Sequence, residues 1–114
     1  MPASAVEPTS PWVTWACKSV ERTLGRAPQV IPCTSGGMPG DVFQDILNLP
    51  LVWVPHGHNG CQQHGPDEHL LVAVAKEAVV AMAGLWWDLG SDAVPRRDRT
   101  SSQNSLERGP VPTV

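Results

Sequence analysis

Four histidines and a cysteine crowd one short stretch of this chain. His56, His58, Cys61, His64 and His69 fall within fourteen residues, in the run PHGHNGCQQHGPDEHL. Imidazole and thiolate are the ligands that zinc takes most readily. The stretch is therefore either a zinc-holding group built on His56, His58, Cys61 and His64, or a polar loop whose histidines are simply solvated. The spacing His56-x-His58-x2-Cys61-x2-His64 matches no standard structural zinc pattern, so the residues alone leave both readings open.

A second candidate lies upstream. Ser35-Gly36-Gly37-Met38-Pro39-Gly40 carries three glycines in six residues. Gly36 and Gly37 either make a tight turn or bring bare backbone against a substrate, with amide N–H groups aimed at developing negative charge. No lysine follows at the spacing of a phosphate-binding P-loop, and no GxGxxG is present. The carboxylate pairs Asp67-Glu68 and Asp41/Asp45 form no evident catalytic dyad; Asp67 or Glu68 suits the N-terminus of a following helix, where the dipole favours an acid.

The elements that would position these residues follow from periodicity. Ser10-Pro11 reads as an N-cap followed by Pro in the first turn. Trp12, Trp15, Ala16, Val20 and Leu24 then recur at three- and four-residue spacing, and Gly25 stands where helices end in a left-handed residue. A helix over residues 11–24 follows. Residues 29–33 (QVIPC) predict a short edge strand, because Pro32 cannot donate to a ladder. Residues 41–48 predict a second, shorter helix with Val42, Phe43, Ile46 and Leu47 on one side. The continuous apolar run 51–54 predicts a strand covered on both faces. A third helix is expected from about residue 69 to 89, with a stripe of Leu71, Val74, Ala75, Ala78, Val79, Met82, Leu85, Trp86 and Leu89, ended by Gly90.

The order helix, strand, helix, strand, helix belongs to an α/β class, as a slice of a layered domain. Two strands cannot bury three amphipathic helices, and a single pair of strands is marginal on its own. The pattern therefore predicts an incomplete domain over residues 10–90, after a flexible N-terminus over residues 1–9. Residues 91–114 hold four Arg and three acids with almost no large apolar side chains, which predicts a disordered tail.

Composition narrows the partners. The chain has 114 residues and a net charge of −3, which gives no electrostatic reason to expect nucleic acid or an anionic membrane. Cys17, Cys33 and Cys61 are odd in number and form no CxxC pair, which points to free thiols in a reducing compartment. The N-terminus has neither the basic nor the apolar region of a signal peptide. Lys76, Glu77 and Asp88 interrupt the longest apolar stretch, against a spanning helix. A cytoplasmic location is the expectation.

The stretch SGGMPGDVFQDILNLPLVWVPHGHNGCQQHGPDEHLL resembles the C-terminal catalytic segment of a family of zinc-dependent hydrolases. It comprises aminoacylases, carnosinases, glutamate carboxypeptidases and the acetylornithine and succinyl-diaminopimelate deacylases. Those proteins carry a GGS-(I/L)-P loop, a helix, a buried strand and then H-(S/A)-P-N-E before the last long helix. The counterparts here are Gly36-Gly37-Met38-Pro39 and His64-Gly65-Pro66-Asp67-Glu68, and the resemblance spans roughly residues 10–90.

The resemblance implies the catalytic domain of a two-zinc peptidase with a phosphorylase/hydrolase-like fold. It implies that His64 is the last of the zinc ligands, that Gly36 and Gly37 line the substrate, and that the substrate is a peptide or N-acyl amino acid. The other ligands of the family (a His, a bridging Asp and two further acids) lie upstream, as does its catalytic Glu, and none of those motifs occurs here. The implied chain is a fragment, inactive by itself, whose partner would be a separately encoded N-terminal portion. It departs from the family at Met38, where Ser or Thr is usual, at Gly65, where Ser or Ala is common, and at Asp67, where Asn is common. The reading from a different class is a small stand-alone zinc-binding or interaction protein using the His56/His58/Cys61/His64 group.

Overall fold

The computed structural model describes residues 5–31, 39–91 and 93–96. Two helices pack against each other and carry everything else. The first, α1, spans Pro11–Leu24. The Ser10 side chain accepts a hydrogen bond from the Trp12 amide at 3.3 Å, and Pro11 occupies the first turn, where its missing N–H costs nothing. Gly25 closes the helix at φ 72°, a left-handed conformation that side chains resist, and its N–H donates to Glu21 O at 2.8 Å. The second helix, α2, spans Val72–Asp88.

The two helices run antiparallel. Arg22 reaches Asp88 at 2.6 Å, Arg26 pairs with Glu77 further along, and Thr23 lies against Gly84 between them. The core they enclose holds Ala16, Val20 and Leu85, with Trp15, Leu24, Val52 and Val54 packed against it. Small residues at the crossing, Ser19, Ala81 and Gly84, let the backbones approach.

The faces differ from those expected of the two helices. On α1 the buried line is Val13, Ala16, Ser19 and Val20, while Trp12 and Trp15 stack edge to face at 5.8 Å on the half-buried flank. On α2 only Ala81 and Leu85 are buried. Most of the expected stripe faces outward: Val79 and Trp86 are each 71 % exposed. The helix starts three residues later than expected, with Leu71 before its first turn and no side-chain cap, so neither Asp67 nor Glu68 caps it.

Between the helices the chain is mostly irregular. The expected second helix is a short, wide turn, Val42–Ile46, in which the Leu47 amide donates to Val42 O at 2.9 Å, five residues back. Phe43 and Ile46 remain exposed there. A helix this short depends on burying an apolar face, and none of its residues is buried. Residues 51–54, expected as a strand covered on both faces, form no strand: Val52 and Val54 turn to the core, while Trp53 is 46 % exposed. Among the described residues no strand ladder forms; residues 32 and 33 of the other expected strand lie outside them. Residues 1–4 and most of the 91–114 tail also lie outside the described residues.

Candidate functional site

The histidine-rich loop joins residues 51–54 to α2, and tight turns fold it on itself. The Cys61 amide donates to His58 O at 3.0 Å, closing one four-residue turn. The Gly65 amide donates to Gln62 O at 2.7 Å, closing a second. The His69 amide returns to Cys61 O at 3.1 Å and shuts the loop. Backbone groups that would otherwise need water are thereby satisfied within the loop.

Three side-chain-bearing residues here have left-handed backbones: Gln62 at φ 51°, His64 at φ 64° and Asp67 at φ 60°. Each costs on the order of 1 kcal/mol, and such residues persist only where surrounding structure imposes them. His64 holds the third position of the turn that Gly65 closes, which turns of this kind ordinarily reserve for glycine or asparagine. Its side chain is exposed. A Cβ on Gly65 would stand 3.1 Å from Gln62 O, so the Ser or Ala common at this place in the resembled family would fit only with a small shift of the turn.

The loop brings together His58 and His69 rather than the expected group of His56, His58, Cys61 and His64. The rings of His58 and His69 meet edge to face, centroids 5.2 Å apart. His69 Nδ1 lies 2.9 Å from Asp67 O, and a carbonyl can only accept, so Nδ1 carries the proton. In neutral His69 the lone pair is then on Nε2. His58 Nδ1 is shielded from solvent without a hydrogen-bond partner. Cys61, half-buried with a free thiol, holds its Sγ near Gly57.

Among the described residues, no group of three or more His, Cys, Asp or Glu side chains is arranged to hold a metal ion. His56, His58, Cys61 and His64 are thus neighbours in sequence without converging as four ligands. Gly36 and Gly37, the expected substrate-side backbone, lie outside the described residues. The pairing of His58 with His69 has no signal in residue spacing; only the return of the His69 amide to Cys61 creates it.

Beside the loop, the N-terminal half of α2 borders an open apolar groove lined by Leu70, Val72, Ala75, Lys76, Val79 and Val80. No described helix is long and apolar enough to cross a membrane. Comparison of the chain with models of protein families, with curated proteins and with solved structures finds no match.

Proposed function

We propose that this chain is the C-terminal part of the catalytic domain of a dinuclear zinc peptidase or amidohydrolase, in which His64 supplies one metal ligand. The observation that carries this reading is the order of four features. A Gly36-Gly37-Met38-Pro39 loop precedes an apolar run at residues 51–54, and His64-Gly65-Pro66-Asp67-Glu68 follows just ahead of a long apolar helix. The form of α2 supports it. A helix that is hydrophobic around its whole girth belongs in the interior of a larger domain, and α2 carries only Lys76, Glu77 and Asp88 as charges over its length. An α/β layer, its sheet completed by other chain, is the surrounding this helix calls for.

In such an enzyme the two metals would generate a nucleophilic water and polarise the scissile carbonyl. The residues present supply one corner of that site. His64, exposed on a left-handed turn, offers an imidazole nitrogen. Gly36 and Gly37 would offer backbone N–H groups to a peptide or N-acyl amino-acid substrate. One ligand of five and no general base do not make a hydrolase, so no hydrolytic step can be written for these residues alone.

Two observations test the reading. The coding sequence immediately upstream should encode an H-x-D segment and a Glu-Glu pair. The purified chain should hold no tight, stoichiometric zinc through Cys61; a one-to-one zinc complex abolished by Cys61→Ala would overturn the proposal in favour of a stand-alone zinc protein.

A further inference from the structure

We propose that His58 and His69 form a two-imidazole site for a borderline divalent transition-metal ion, Cu2+ or Zn2+, separate from the role given to His64. Three features of the loop point there together. The ring centroids stand 5.2 Å apart although the residues are eleven positions apart in sequence, and the contact is held by backbone bonds that both pass through Cys61. Preorganisation of this kind removes much of the ordering cost that two loop side chains would otherwise meet on binding.

The hydrogen bond of His69 is the second feature. Metal-bound histidines usually donate their other ring N–H to a carbonyl or carboxylate, which fixes the tautomer and raises the basicity of the ligating nitrogen. His69 Nδ1–H already does this to Asp67 O, leaving Nε2 as the free donor atom. The carbonyl is itself fixed by an unusual backbone, since Asp67 sits at φ 60°.

The third feature is the unpartnered Nδ1 of His58. A polar nitrogen shielded from water without a hydrogen bond is costly, and coordination of a cation through Nδ1 itself would offset that cost. Imidazole pairs suit Cu2+ and Zn2+ rather than Mg2+ or Ca2+, which prefer oxygen, and Cu2+ should bind more tightly than Zn2+. With two protein ligands, water completes the coordination, and Cys61 takes part through its backbone, not its thiol.

The test is a Cu2+ titration of the full 114-residue chain, followed by proton NMR of the imidazole C–H signals and by electron paramagnetic resonance. Substoichiometric Cu2+ should broaden the His58 and His69 signals ahead of those of His56 and His64, and the spectrum should show two coordinating imidazole nitrogens. His58→Asn and His69→Asn should each weaken binding about tenfold or more, the scale on which a lost ligand or its support is felt. His56→Asn and Cys61→Ala should leave it within about twofold. Broadening of His64 first, a single imidazole nitrogen, or no one-to-one binding would overturn the proposal. Because the NMR pattern is read on the unaltered chain, it decides even where a variant fails to fold. The outcome is independent of His64 as a zinc ligand in a completed enzyme.

Discussion

At the scale of single residues, His64 stands out by its backbone as well as its ring. A left-handed residue tolerates Asn or Gly and resists β-branched side chains. His64→Asn should therefore preserve the turn, while His64→Val should open it by about 1–2 kcal/mol. The Gly65 amide, bonded to Gln62 O, reports this directly: its hydrogen exchange should be unchanged in the Asn variant and roughly tenfold faster in the Val variant. The same reasoning makes Asn the substitution of choice at this position, since it removes the imidazole and keeps the fold of the loop. Sequence context singled out His64 through the pentad around it. It could not reveal the turn: Asp and His enter the left-handed region more readily than most side chains, but too rarely for residue type to mark the position, and Gln62 gives no such signal. Nor could it reveal His58 against His69, a contact made by closure over eleven residues rather than by local spacing.

At the scale of elements, the antiparallel pairing of α1 and α2 rests on a close crossing and two ion pairs. Gly84 is the crossing's tightest point. A Cβ there would run into Thr23, meeting Cγ2 at 2.8 Å and Cβ at 2.9 Å as well as Oγ1. Replacing a mid-helix Gly by Ala ordinarily gains up to about 1 kcal/mol. Here the overlap includes Thr23 Cβ, which no rotamer can move, so overpacking of about 1–3 kcal/mol should win. Gly84→Ala should lower the urea midpoint of the helical circular dichroism signal, and adding Thr23→Ala should recover part of the loss.

The Arg22 guanidinium beside Asp88 holds the Asp88 carboxyl below its ordinary value. A depressed carboxylate stabilises the fold above its unfolded pKa, about 3.9, and that contribution disappears as pH falls through the lower folded value. Helicity should accordingly fall more steeply with acidification below about pH 4 in the unaltered chain than in Arg22→Gln. Both ends of α1 were legible from Ser10-Pro11 and Gly25, because caps are local chemistry. The start of α2 was not, since nothing in residues 69–71 distinguishes an extended lead from a first turn. Its apolar stripe was legible as a stripe but not as to partner: α1 covers the Ala81 and Leu85 line, and the longer stripe through Val79 and Trp86 is left bare.

At the scale of the whole molecule, burial is thin. The buried hydrophobic side chains among the described residues are Val13, Ala16, Val20, Ala81 and Leu85, whereas Ile31, Ile46, Val72, Val79, Trp86 and Trp87 are each at least 69 % exposed. Large apolar side chains left in the open in this number invite cover by another surface. The isolated chain should bind a hydrophobic dye such as ANS, unfold over a broad thermal range and self-associate with rising concentration. A sharp, cooperative transition would argue that the described core suffices. The apolar run at residues 51–54 and the all-round apolar α2 are the features on which the proposed layered domain rests, and among the described residues they form no sheet. The most direct measurement is co-expression of this chain with the polypeptide encoded upstream, followed by assay of N-acyl amino-acid hydrolysis and of bound zinc. The account predicts an active complex with two zinc ions, in which His64→Asn loses one zinc and lowers kcat at least about a thousandfold, the loss expected when an essential group is removed. An active complex indifferent to His64→Asn, or tight zinc held by this chain alone through Cys61, would contradict it.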